Sequence, residues 1–426
     1  MINTAVFEKE DVLLLRCCCV HTDESTKGEI EKIITDNLNW EYLINMACLH
    51  NIATLLYKHL SCAQDHVSIP QQFLKQLKEA YYRTTYLNLV LANEFKAICE
   101  AFASAHIELI PLKGISFLNN LYPDIAMRHL SDIDLLTKRE CLEKAKKILE
   151  NSGYVSIPTT FHSRDRHFHA IHCKEIKSFK IVTELHWDID FNDSPYSIRI
   201  NDFWDRAAVF NAQGYTYYNL SVEDTIILNC FHLLRDQQEH AHIISLKNLC
   251  DISELIKKYG EQIRWEAIFE QAKKYKILRP VLLAVTLANQ LLSAPVPAII
   301  KEKLHEEHFE ENMLAVLIRK KIFNKERDAV FLPSGLQAVA NGKTTIGLKP
   351  FNMVRTMYLY VRTNYERYPS ITLCLKYTLK GFYRSLINYM RIIKQTGINL
   401  NKSDAVFTEL ISSKEKIKAV DNWLRS

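Results

Sequence analysis

Between His106 and Lys138 the chain reads HIELIPLKGISFLNNLYPDIAMRHLSDIDLLTK, and no other stretch constrains the fold as tightly. It is expected to run extended into Lys113-Gly114, form a short helix stopped near Pro123, and extend again through Asp132-Ile133-Asp134. Side chains alternate along a strand, so Asp132 and Asp134 are predicted to share one face while Ile133 and Leu135 turn into the core. Two carboxylates side by side raise each other's pKa unless something positive sits between them. Mg²⁺, a hard ion that takes carboxylate oxygens, waters and substrate phosphates, suits the pair. Lys113-Gly114 fits the same chemistry, because a glycine lets backbone amides approach phosphate oxygens and a following helix N-terminus favours anions. The combination points to phosphoryl or nucleotidyl transfer.

A third acid is expected from the run Phe179–Trp187, whose alternation puts Val182, Glu184 and His186 on one face and Ile181, Thr183, Leu185 and Trp187 on the other. If this strand lies beside the Asp132 strand, Glu184 joins the acidic pair; the plain alternative is an edge-strand glutamate facing water. Asp188, Asp190 and Asp193 just beyond form a competing cluster, read as loop residues. FHSRDRHFHAIHC carries His162, His167, His169, His172 and Cys173. Its spacing matches no standard zinc pattern, so substrate contact or a solvated strand is expected rather than a metal site.

These motifs carry a resemblance. Pro111-Leu112-Lys113-Gly114, then Arg128, Ser131-Asp132-Ile133-Asp134-Leu135-Leu136 and Glu184-Leu185-His186-Trp187 resemble the bacterial family of uncharacterised nucleotidyltransferases, within the superfamily typified by DNA polymerase beta. The likeness spans about Trp40 to Leu292. It departs from the commonest superfamily pattern, in which Gly-Ser follows the first strand; here Ser116 stands two residues past Gly114. The resemblance implies an α+β fold, a small mixed β-sheet nucleotidyltransferase core flanked by N-terminal and C-terminal helical bundles. It also implies transfer of a nucleoside monophosphate from an NTP to a hydroxyl-bearing acceptor: a small molecule, sugar or peptide. Asp132, Asp134 and Glu184 would hold two Mg²⁺ ions, with Mn²⁺ as the alternative. Lys113, the Gly114 amide and Ser116 would grip the phosphates, and Arg128 would offset charge at the α-phosphate or form an ion pair with Asp124 or Asp132. An inactive nucleotide-binding scaffold and a toxin-like RNA-modifying transferase are the rival readings.

The flanking chain reads as helical. Residues 1–105 repeat apolar side chains at helical spacing, 106–220 form the α/β core, 221–335 a bundle closing the cleft, and 336–426 a basic, aromatic-rich region. Ser221-Val222-Glu223-Asp224 resembles a capping box opening a helix that carries His232 and Arg235 on its flank, the histidine read as structural by default. With 426 residues, 48% of them hydrophobic and only ten glycines, the chain suits two or three helix-rich domains. Its eleven cysteines show no paired spacing and no basic region precedes the first apolar residues, so no signal peptide is expected and the thiols belong in a reducing cytoplasm. Val281–Ile300 is apolar, yet Thr286, Asn289, Gln290, Pro295 and Pro297 interrupt it, which argues against a transmembrane segment.

The mild net charge of +5 decides nothing by itself. Between Lys343 and Lys394, however, Arg355, Arg362, Arg367, Lys376, Lys380, Arg384 and Arg391 face a single acid, Glu366, among interleaved tyrosines and phenylalanines. Two readings stay open there: a helical appendage with a basic solvated face, or contact with a polyanion or anionic membrane surface.

Overall fold

In the computed structural model, residues 7–118, 120–157, 168–177, 179–191, 194–212, 214–239, 243–323, 419–420 and 422–424 are described. The expectations about His162, His167, Asp193 and the basic stretch from Lys343 to Lys394 lie outside them. Residues 1–312 and 420–426 make one compact unit, and Met313–Ala419 a second, of which 313–323 and 419 are described.

The chain opens with four short helices, α1 (Lys9–Cys17), α2 (Glu24–Ile34), α3 (Trp40–Leu49) and α4 (Ala53–Ala63). A long helix, α5 (Gln71–Ser104), follows Pro70, whose missing N–H costs nothing at a helix start. Its buried side chains Leu74, Leu77, Thr84, Asn88, Leu91, Phe95, Ile98 and Phe102 recur every three or four residues, with one step of two turns between Leu77 and Thr84. That spacing makes one apolar stripe. The stripe packs on the sheet, where Ile133, Leu135, Ile181 and Leu185 meet Leu91, Phe95, Ile98 and Phe102 in a single core.

The sheet has five strands: β1 (Leu109–Leu112), then after a short helix α6 (Lys113–Phe117) β2 (Ile133–Thr137), and after α7 (Leu142–Asn151) β3 (Val155–Ile157), β4 (His169–Ile176) and β5 (Phe179–His186). Their order is β1-β2-β5-β4-β3, with β2 and β5 parallel and the other pairs antiparallel. The mixed sheet expected from the sequence is thus present, and α7 ends at Gly153, whose φ of +86° only glycine adopts freely.

Beyond β5 the chain adds α8 (Ile200–Arg206) and a hairpin, β6 (Ala208–Ala212) with β7 (Tyr215–Asn219). Helices α9 (Val222–Glu239), α10 (Leu246–Tyr259), α11 (Trp265–Lys274), α12 (Leu278–Leu292) and α13 (Ile299–Glu306) complete this part. The capping box at Ser221 is only half formed. Ser221 Oγ accepts from the Asp224 amide at 3.1 Å, but the Asp224 carboxylate turns to the Arg206 guanidinium at 2.7 and 2.8 Å. α12 is buried on nearly every side, packed among α9, α10 and α13, and no described helix is long and apolar enough to cross a membrane. Near the end of the chain, the Trp423 indole donates to Glu307 O at 2.6 Å and Arg279 stacks on its ring.

Candidate functional site

The site forms where β1, β2 and β5 lie side by side. Register fixes its geometry: Leu112 stands opposite Asp134 across the β1–β2 pair, and Asp134 opposite Glu184 across β2–β5. Because β2 and β5 are parallel neighbours, period-two alternation sends Asp134, Glu184 and His186 to the same side, away from the α5 core. The arrangement anticipated for Glu184 is therefore the one observed.

His186 completes the group. Its Nε2 lies 3.0 Å from Asp134 Oδ1 and 3.4 Å from Glu184 Oε2, with the ring almost wholly buried. One ligand atom from each of Asp134, Glu184 and His186 falls within 4.8 Å of the others. Burial pulls the His186 pKa down, but its hydrogen bonds to Asp134 and Glu184 outweigh that and hold it above the usual histidine value. Asp134 shows the mirror image. Burial pushes it up, yet the Lys113 ammonium, 3.4 Å away, and the His186 bond keep it well below the carboxylate range. Nδ1 of His186 has no hydrogen-bond partner among the described residues, so the two carboxylates orient the ring together with the Phe168 and His169 rings packed against it.

Asp132 precedes β2 by one residue and is partly exposed, its Oδ1 accepting from the Ser131 hydroxyl at 3.0 Å. Burial, reinforced by Asp134, pushes it up to about 6. An unfolded aspartate titrates near 3.9. Between those values the folded state keeps a proton that the unfolded state has released, so in the metal-free protein this carboxylate destabilises increasingly from about pH 4 to about pH 6, and fully above. Asp132→Asn is accordingly expected to raise the metal-free thermal midpoint at pH 7.5. Thermal scans over a pH series should show that gain shrinking below pH 6 and vanishing near pH 4.

Lys113 carries a φ of +50°, a left-handed conformation that costs a non-glycine residue roughly 1–2 kcal/mol. The sharp turn at the end of β1 aims its side chain at Asp134. Gly114 next to it has a steric role. A Cβ there would lie 2.2 Å from Arg128 Nη1 and 2.7 Å from Leu130 Cδ2. Gly114→Ala is expected to cost about 1–3 kcal/mol, the usual penalty for overpacking a filled core, seen as a lower urea midpoint. Ser116 turns inward, its hydroxyl donating to Lys113 O at 2.6 Å.

Arg128 does not pair with Asp124 or Asp132. Its guanidinium, buried, makes a fork with Asp251 of α10 at 2.7 to 3.1 Å, and Tyr122 Oη donates to the same carboxylate at 2.7 Å. The reason is reach: α10 packs over the 125–132 segment and presents an acid there, while Asp124 Oδ1 accepts from the Ala126 amide and Asp132 Oδ1 accepts from the Ser131 hydroxyl. The same segment is held from beneath by Asn88 of α5, whose amide donates to Ile125 O and Arg128 O and whose Oδ1 accepts from the Leu130 amide. Asn88 is a buried amide on the mainly apolar face of α5, and the sequence reading assigned it no role.

Further histidines gather around the group. His169 of β4 has Nε2 4.0 Å from Glu184 Oε2 and its ring 5.0 Å from that of His186; burial and His186 push it down to about 4. His232 of α9 faces Lys113 and Asp134, and burial with Lys113 depresses it strongly. Arg235 lies over the Phe168 ring and donates to Ile189 O at 2.8 Å. Of the acids beyond β5, Asp190 accepts from Ser194 and Asp188 from the Ile189 amide, so both serve the loop. Neither replaces Glu184.

Chemically, two carboxylates and one imidazole nitrogen converge beside an ammonium, a donor set suited to a divalent cation. Residues 36–293 match the family described as uncharacterised nucleotidyltransferase. The crystal structure of an antigenic nucleotidyltransferase-like protein from Paracoccidioides brasiliensis aligns over 52% of this chain and 95% of that one, at 13% identity and a TM-score of 0.28. No curated protein matches the chain.

Proposed function

Since this chain belongs to the uncharacterised nucleotidyltransferase family, we propose that it moves a nucleoside monophosphate from an NTP to an acceptor hydroxyl and releases pyrophosphate. One observation carries the reading: Asp134, Glu184 and His186 converge within 4.8 Å, beside Lys113. The acceptor oxygen attacks the α-phosphorus, the bond from that phosphorus to the bridging oxygen of the pyrophosphate breaks, and the acceptor proton passes to Glu184. Lys113 pairs with phosphate oxygens, and Asp132 adds a further carboxylate at the mouth of the site. Gly114 and Arg128 act through position: the glycine admits the guanidinium, and Arg128 with Asp251 fixes the segment that delivers Asp132 and Asp134. Ser116 secures the Lys113 turn through its bond to the Lys113 carbonyl.

The donor set fits a divalent cation. Asp134 and Glu184 would hold it, with His186 Nε2 as the third donor; bound Mg²⁺ or Mn²⁺ would supply charge stabilisation for the leaving pyrophosphate and lower the pKa of the acceptor hydroxyl. An imidazole nitrogen among the donors suits a transition-metal ion better than Mg²⁺, which takes oxygen ligands, so of the two Mn²⁺ fits this set more closely. The family resemblance suggests a small molecule, sugar or peptide bearing a hydroxyl as the acceptor, with a tRNA or protein as the alternative.

Pyrophosphate release tests the proposal. Each of ATP, CTP, GTP and UTP is incubated with the protein, Mg²⁺ or Mn²⁺, and pooled hydroxyl-bearing metabolites. Release above background with at least one NTP, dependent on the ion, is the expected result. Folded protein that releases none with any NTP or pool would count against transfer.

A further inference from the structure

Helix α10 brings a charged group to the site from the helical side. Its first turn carries Lys247, and one turn on stands Asp251, which grips Arg128; an i, i+4 pair lies on one helix face. The Arg128 fork, the Tyr122 bond and the bond from the Leu246 amide to His50 Nδ1 at 3.3 Å fix α10 against the segment between Arg128 and Asp132. Lys247 Nζ therefore sits over that segment, 3.5 Å from His129 O, at the limit of a hydrogen bond. Around it stand Arg128, Asp251, Asp132, Asp134, His129 and His232.

No carboxylate of the described residues lies within ion-pair distance of Lys247. The contrast with other partly buried lysines is direct: Lys113 has Asp134 at 3.4 Å, and Lys257 has Glu254 at 2.9 Å. Burial pushes the Lys247 ammonium down to about 8, with Arg128 adding to the push and Asp251, Asp132 and Asp134 opposing it. A desolvated cation with one weak backbone acceptor has unused donor capacity, and an anion is the group that satisfies it.

We propose that Lys247 is the helical-side cation of a polyphosphate subsite, taking the terminal phosphate oxygens of an NTP whose α-phosphate lies at Asp134 and Lys113. This rests on the nucleotidyl-transfer reading. Phosphates are preferred over a carboxylate acceptor because Lys113, from the β1 turn, and Lys247, from α10, both act on the Asp132–Asp134 segment, and a polyphosphate carries several anionic groups where a carboxylate carries one. Binding would then couple the sheet core to the helices that follow it.

Calorimetry in Mg²⁺ separates the outcomes. NTP, the matching NMP and inorganic tripolyphosphate are titrated into wild type, Lys247→Met and Lys247→Arg. Lys247→Met is expected to weaken NTP and tripolyphosphate binding at least about tenfold, the loss of one charge-assisted contact, while leaving NMP affinity unchanged. Lys247→Arg should retain most of the NTP affinity, and the ligand-free Lys247→Met protein should melt no lower than wild type. Lys247→Gln gives the same comparison if the Met variant does not fold. Equal losses for NTP and NMP, or no loss for either, would overturn the assignment while the transfer reading stood. Wild type that binds the NMP but no NTP or tripolyphosphate would overturn it too, and folded wild type that binds no nucleotide at all would remove the transfer reading with it.

Discussion

Asp251→Ala is expected to destabilise the protein by about 3–5 kcal/mol, the cost of leaving one half of a buried ion pair without its partner. Arg128 is buried and gives two of its nitrogens to Asp251, and the Tyr122 hydroxyl loses its acceptor in the same step. The damage falls on the segment that feeds Asp132 and Asp134 into β2. A urea titration followed by circular dichroism should show the midpoint dropping accordingly. The double variant Arg128→Met/Asp251→Leu should recover much of the loss, because two apolar side chains leave no uncompensated charge. A midpoint within about 0.5 kcal/mol of wild type for Asp251→Ala, the range of an ordinary surface change, would mean that this pair does not hold the segment.

Asp134→Asn carries the largest expected effect on activity, a fall in pyrophosphate release of at least about 10³-fold, equivalent to about 4 kcal/mol of transition-state stabilisation. The side chain is the shared partner of Lys113 and His186 and faces Glu184 across the parallel pair. Asparagine keeps the shape and loses the charge, so the circular dichroism spectrum should be that of wild type. Residual release within tenfold of wild type would show that Asp134 is a structural acid, and the reaction would have to be sought elsewhere.

How far the fold was legible depends on how local its cause is. Alternation along Phe179–Trp187 is written in neighbouring residues, and it correctly placed Glu184 beside Asp134 once β2 and β5 paired. That same alternation placed His186 on the Glu184 face, although only the parallel register shows that Nε2 reaches Asp134. Helices α10 and α11 fall within 221–335, the stretch read from the sequence as a helical bundle, because each carries its own apolar stripe. Arg128 shows the limit. Its partner lies 123 residues further on, and nothing in the local sequence distinguishes Asp251 from Asp124 or Asp132. Lys247 was hidden for the same reason, whereas His232 stood out on the flank of its helix and was read as structural by default, with approach to a nucleotide as the alternative. Gly114 was read as an approach for phosphate, and the structure adds the tertiary cause, the guanidinium that fills the place of a side chain. The hairpin of β6 and β7 went unread despite its alternating tyrosines; its ring contacts with Phe95 of α5 come from a helix more than a hundred residues earlier.

Calorimetric titration of ATP, CTP, GTP and UTP with Mg²⁺ decides whether the group around Asp134, with Asp132 beside it, anchors a metal-dependent nucleotide site. Wild type is compared with the double variant Asp132→Ala/Asp134→Ala, each with and without chelator. At least one NTP is expected to bind wild type, chelation to abolish the binding, and the folded double variant to bind none. Binding that survives both the chelator and the double substitution, or a folded wild type that binds no NTP, would contradict it.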